Sequence, residues 1–250
     1  MYYLLWKKRK QLARIVISCI LIFSLSTKLN AQLRDRINLP EVDNKRYHIG
    51  IVIMAAQTRF QISQHPYFLQ QDSITSVYPE NNVGIGLGGM HTLRLSNRFE
   101  ARIVFPQLLF VNKSLTYHLK SPDRFKDETA VMTNSIESIH LGIPVQLKFR
   151  SDRINNFRVY MMGGFKIETD LSSKASAKNA DDIVKLRKYD YGIEGGIGFN
   201  FYMPYFILSP EIKFSNGLSN AHSRDANLKF SNVIDKMQSR MVIFSLIFEG

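Results

Sequence analysis

From Ser138 to Phe149 the chain alternates without a break. Ile139, Leu141, Ile143, Val145, Leu147 and Phe149 fall on one face, and Ser138, His140, Gly142, Pro144, Gln146 and Lys148 on the other. A period of two belongs to a β-strand, whose successive side chains point to opposite sides. The same phase returns at Arg158–Glu168, at Asp190–Asn200 and at Phe206–Ser215. Eight strands are predicted, near Tyr47–Gln61, Val83–Leu95, Phe99–Leu119, Ser135–Phe149, Phe157–Thr169, Tyr189–Tyr202, Phe206–Ser215 and Arg240–Phe248. Most reach the roughly ten residues that a tilted strand needs to cross a bilayer. Their connections alternate in length: 64–82, 120–134, 170–188 and 216–239 are long and polar, whereas 96–98, 151–156 and 203–205 are short. Short periplasmic turns and long extracellular loops sort in this way in outer-membrane barrels. The expected fold is all-β, an eight-stranded antiparallel transmembrane β-barrel over residues 47–250, after a periplasmic segment at 32–46.

The N-terminus reads as an export signal, residues 1–31. Lys7, Lys8, Arg9, Lys10 and Arg14 precede an apolar run, Ile15–Leu25, and Ala31 is the expected cleavage residue. An uncleaved anchor is the alternative. Val16-Ile17-Ser18-Cys19 loosely fits a lipoprotein box, but the apolar run continues to Phe23, so Cys19 reads as part of the signal. With this single cysteine, a disulfide framework and a Cys-ligated zinc site are excluded. Residues 1–31 carry six Lys or Arg and no acid, so their removal lowers the formal charge from +12 to +6. The remaining basic residues are dispersed, which argues against a nucleic-acid partner.

Eight strands enclose a space that side chains fill, so no wide channel is expected. Phase turns Glu100, Arg102, Lys148, Arg158, Lys166, Glu168, Asp190, Glu194, Glu211 and Lys213 inward. Charges withdrawn from bulk water must be paired or hydrated. Both signs are present, which predicts a closed ion-pair network in which Glu194 and Glu211 share Lys213, Arg158 or Lys166. On the outside, Phe149, Phe157, Phe199, Phe201, Tyr202, Tyr205, Phe206 and Phe248 are expected to form an aromatic girdle, with Tyr160 excluded by phase.

Motifs that carry chemistry are sparse. Gly84-Ile85-Gly86-Leu87-Gly88-Gly89 satisfies GxGxxG, yet strand alternation runs through it and no helix is predicted to follow. Its glycines are read as letting side chains from across the barrel fit, and those at 192, 195, 196 and 198 as places where a small barrel needs bending or room. In Phe214-Ser215-Asn216-Gly217, outer-membrane lipid hydrolases would carry a His two residues before the serine; here the position is Lys213 beside Glu211. The histidines at 48, 65, 91, 118, 140 and 222 show no close ligand spacing, with His140 assigned to the lumen and His65 to a loop. Asp181 and Asp182 sit among Lys174, Lys178, Lys185, Arg187 and Lys188, a solvated loop. No catalytic residue, cofactor, metal or small-molecule substrate is expected.

Three stretches resemble the PorT-type (PorT/SprT-like) eight-stranded outer-membrane barrels of the type IX secretion and gliding system. They are His140-Leu141-Gly142-Ile143-Pro144-Val145-Gln146-Leu147-Lys148-Phe149, the run Tyr202–Ser215 with Asn216-Gly217-Leu218, and Ser239-Arg240-Met241 followed by Phe244–Phe248. Ile-Pro is common to many related barrels; Phe-Ile-Leu-Ser-Pro-Glu with Ser-Arg-Met is more particular. Gly142 departs from the pattern, since relatives often carry Glu there. The resemblance spans about Tyr47–Gly250. It implies an accessory role in exporting proteins with C-terminal sorting domains, and partners among outer-membrane lipid and other type IX components. It supplies no catalytic residues. A lipid-modifying barrel enzyme and a structural or adhesive barrel are the alternatives.

Overall fold

The structure is a computed structural model that describes residues 37–70, 73–122, 129–172, 184, 186–224 and 228–250. The export signal and the Asp181–Asp182 pair with Lys174, Lys178 and Lys185 lie outside the described residues. Strands run β1 Tyr47–Gln64, β2 Ile74–Pro79, β3 Asn82–Arg94, β4 Phe99–Leu119, β5 Val131–Arg150, β6 Phe157–Asp170, β7 Tyr189–Tyr202, β8 Ile207–Gly217 and β9 Ile234–Glu249. Eight of them close into an antiparallel ring, β4-β3-β1-β9-β8-β7-β6-β5 and back to β4. Closure leaves no edge, so each spanning strand bonds to a neighbour on both sides, as a strand surrounded by lipid requires.

Short β2 falls inside the segment read from sequence as a loop. It pairs with Leu115–Leu119, above the stretch of β4 that pairs with β3. β9 likewise starts at Ile234 rather than near 240, because its upper part pairs with Gln61–Gln64 at the end of β1. The tight turns close at one end. Ser96 Oγ accepts the amides of Arg98 and Phe99 at 3.3 and 3.1 Å, and Asn155 occupies the left-handed region at φ 54°, which Asn tolerates.

The outer wall is apolar. Ile51, Ile53, Leu87, Val145, Leu147, Phe165, Ile167 and Ile197 are all exposed; around a soluble protein so broad a patch would drive association, whereas lipid is its natural solvent. At the short-turn end, aromatic rings pair along the wall: Phe99–Phe149, Phe157–Phe199, Phe157–Phe201 and Phe206–Phe248, with centroids 5.2–5.9 Å apart. Tyr202 does not belong to this girdle. It shares the phase of Glu194 and Asn200 and is buried inside.

The inner wall differs around the ring. Where β1, β3 and β9 meet the middle of β4 it is apolar, built from Val52, Met54, Met90, Val104, Leu109, Val111, Ile243 and Ile247; most charged inner residues come from β4 to β8, with Glu249 of β9 beside His48 of β1 near the short-turn end. Glycines 84, 86 and 88 lie on the apolar side inside β3, which runs into β4 with no helix between. A Cβ on Gly84 or Gly88 would approach Val111 or Val104 to 2.7 and 2.9 Å, so side chains of the adjacent strand, rather than from across the barrel, fill the space the glycines leave.

This register predicts depth-dependent costs. Ile143→Arg and Ile197→Arg, at mid-wall, should destabilise the barrel by roughly 2–4 kcal/mol, and Gln61→Arg, on the outer face above the belt, by about 0–1. Urea titration of barrels folded in vesicles measures this, and equal costs at the three positions would refute the register.

Candidate functional site

The lumen is the structured polar site of the molecule, and it is layered. In the middle layer Arg102 Nη1 donates to Glu211 Oε2 at 2.6 Å, and the Tyr160 hydroxyl donates to the same oxygen at 2.9 Å. Lys213 Nζ lies 3.8 Å from Glu211 and 3.7 Å from Glu194, which also accepts from Gln146 Nε2 at 2.9 Å. Gly198 permits this packing, because the Tyr160 ring lies where a β-carbon would be. Nearer the short turns, Glu100 is held by Lys148 at 3.2 Å and Arg150 at 2.6 Å, with the Lys148 ammonium 4.1 Å over the Tyr160 ring.

Towards the long loops, Lys166 Nζ donates to Glu168 at 2.8 Å, His140 Nδ1 lies 3.5 Å from Glu168, and Lys113 Nζ lies 3.3 Å from His140 Nε2. Glu168 sits directly opposite Gly142 on the neighbouring strand. Lys113, His140, Glu168, Asp170 and Asp190 border a cavity of about 20 Å³, enough for about one water.

Both ends are shut. At the short-turn end Asn38–Arg46 folds across the opening, and Val42 packs with Tyr202 and Ile207. Asp43 reaches into the ring, 2.8 Å from Arg158, 3.1 Å from Arg153 and 4.0 Å from Arg150, and accepts from the Tyr202 hydroxyl at 3.3 Å. Asn38 locks the strap further, bonding the Asn156 side chain at 2.8 Å and the Tyr202 carbonyl at 2.9 Å. Burial alone would raise the Asp43 carboxyl pKa; the Arg158 and Arg153 guanidiniums outweigh it and hold the group below its usual value. At the other end Phe60, Ile74, Leu115, Tyr117, Phe230 and Met237 belong to an apolar plug. A helical turn, α1 Lys229–Asn232, lies over it, and buried His222 meets Ser231 at 3.0 Å.

Every residue read from sequence as inward is buried: Glu100, Arg102, Lys148, Arg158, Lys166, Glu168, Asp190, Glu194, Glu211 and Lys213. The partners differ in part from expectation. Lys213 is shared by Glu194 and Glu211, but Arg158 turns to Asp43 and Lys166 to Glu168. Asp43, Arg153, Arg150 and Lys113 also belong to the network. Arg150 continues the phase of Lys148 and could have been found from it. Lys113 was hidden by a bulge: the register shifts between Ile103 and Gln107, so the inward positions change from Arg102 and Val104 to Gln107, Leu109, Val111 and Lys113. Pro106, which cannot donate to a ladder, is the signal for it. Ser215 also points inward and is fully buried, with Lys213 directed at carboxylates, so a lipid in the bilayer has no route to its hydroxyl. Among the described residues no group of three His, Cys, Asp or Glu could hold a metal.

Two stability tests follow from these contacts. Arg102→Met, which strands Glu211 beside Lys213, should cost roughly 3–5 kcal/mol, and Arg102→Met with Glu211→Leu should recover most of it; a neutral single variant in a thermal melt would contradict the pairing. Because the Asp43 carboxyl pKa is depressed, its contribution is present above the unfolded value of about 4 and fades as pH falls through the lower folded value. The protection factors of the amides at 38–46, which divide out the intrinsic pH dependence of exchange, should therefore fall on acidification, and in Asp43→Asn they should already be low at neutral pH and nearly independent of pH.

Among solved structures, the chain is similar to the outer membrane protein OprG from Pseudomonas aeruginosa, at 12% identity over 80% of this chain and 96% of that one, TM-score 0.42. It is similar to Ail, the attachment invasion locus protein of Yersinia pestis, at 11% identity over 82% of this chain and 100% of the other, TM-score 0.37. Neisserial surface protein A matches at 10% identity over 82% and 97%, TM-score 0.36. No curated protein sequence matches the chain. A family model described as an outer membrane protein beta-barrel domain matches residues 30–223. With its closed eight-stranded ring and that match over more than half its length, the chain belongs to the outer membrane protein β-barrel domain family.

Proposed function

We propose that this barrel is a non-enzymatic accessory part of the type IX secretion apparatus, with its short turns periplasmic and its long loops extracellular. The observation that carries the reading is the doubly sealed lumen: Asp43 and its arginines close one end and an apolar plug closes the other. A barrel of this build works through its wall and loops, which contact lipid and other secretion components, while cargo passes elsewhere. The link to type IX export is supported by the resemblance of residues 140–149, 202–218 and 239–248 to PorT-type barrels.

Deleting the gene should leave sorting-domain proteins trapped behind the outer membrane, with lipid A and phospholipid profiles unchanged. Complementation with Ser215→Ala should restore export, and barrels with 120–134 or 170–188 exchanged should restore it poorly. Normal secretion with a lost lipid modification would replace this reading with the lipid enzyme. Loss of surface adhesion alone would replace it with the adhesive barrel.

A further inference from the structure

Arg59 on β1 and Arg240 on β9 are direct cross-strand partners, and Asn216 on β8 is paired to Arg240 on its other side. Both arginines are exposed on the outer wall, while the adjacent Phe60, Ser239 and Met241 point inward. Like charges placed opposite each other in a sheet repel. Among the described residues no acid relieves them: the surrounding groove of about 530 Å³, lined by the two arginines with Gln57, Asn81, Phe214, Asn216, Met241 and Val242, has no carboxylate.

Their depth is specific. Below them the same faces carry Ile53, Ile212, Phe214 and Phe244, all exposed. From Tyr47 to Arg59 the strand advances by twelve residues. At about 3.3 Å per residue and a tilt near 40° that is roughly 30 Å, the height at which a spanning wall leaves the hydrocarbon. The two guanidiniums therefore emerge at headgroup level, where an Arg is tolerated, rather than at mid-wall, where it is costly. Paired guanidiniums match the oxygens of a phosphate; Gln57 and Asn216 add neutral donors, and Phe214 leads down to the apolar wall.

We propose that Arg59 and Arg240 form a binding site on the outer wall for a phosphorylated glycolipid of the lipid A class, with its phosphate between the guanidiniums and its acyl chains along the Phe214 side. The choice of lipid rests on the proposed orientation of the long loops. The continuous apolar floor favours a lipid over free phosphate.

Native mass spectrometry of the intact mature barrel in mild detergent tests this. The probes are lipid A, dephosphorylated lipid A, phosphatidylglycerol and inorganic phosphate. The wild type should retain lipid A at least about tenfold better than Arg59→Ser/Arg240→Ser and better than it retains the dephosphorylated form, as loss of charge-assisted hydrogen bonds implies. Arg59→Lys/Arg240→Lys should be intermediate, and inorganic phosphate should not displace the lipid. The serine variant should keep its heat-modifiable mobility, because the arginines repel each other and hold no acid among the described residues. Equal retention by wild type and a folded serine variant, or equal retention of dephosphorylated lipid A, would overturn the site. Displacement by inorganic phosphate would overturn the lipid assignment. Arginine-dependent retention of phosphatidylglycerol in preference to lipid A would overturn the lipid class and the orientation behind it, and protease access to the long loops on whole cells tests that orientation separately.

Discussion

Everything in this barrel depends on the hydrogen-bonded closure of its ring. A strand in hydrocarbon has no water to satisfy its amides and carbonyls, and each unsatisfied group costs several kcal/mol. Closure between β4 and β5 removes the last open edge. It also commits every second residue to a narrow interior and the rest to lipid. The apolar wall, the inward charges and the need to neutralise those charges are consequences of that one geometric fact.

Inside the ring the physics divides by wall. Where β1, β3 and β9 line the middle of the lumen, aliphatic and methionine side chains fill it as they would a soluble core. Where β4 to β8 line it, carboxylates and cations neutralise one another over distances of 2.6–3.8 Å, and Tyr160 joins the central cluster to Glu100 through Lys148. A buried pair of this sort adds little net stability compared with an apolar filling, yet removing one member leaves a charge that nothing solvates. That asymmetry ties the lumen into a unit. The strap extends it, since Asp43 supplies the acid for Arg153 and Arg158.

The charged wall was legible from sequence, because on β5 to β8 polar and apolar residues alternate cleanly and phase alone turns Lys148, Glu168, Glu194 and Glu211 inward. Three features were not. On β1, residues such as Ile51, Val52, Ile53 and Met54 are apolar on both faces, so no alternation distinguishes an apolar lumen from a lipid wall. On β4 a bulge exchanges the faces halfway and conceals Lys113. Residues 38–46 have no period at all; only the folded ring brings Asp43 to Arg153 and Arg158, which are more than a hundred positions away. Tyr202 was placed outside because aromatic residues favour strand ends at the interface, but its phase and its bond to Asp43 hold it inside.

The strap covers one end of the lumen and the apolar plug the other. Single-channel recording of the purified barrel in planar bilayers reads that closure. A lumen covered in this way should give no steady ion conductance at neutral pH. Stable, wide conductance steps from the wild-type barrel would contradict it.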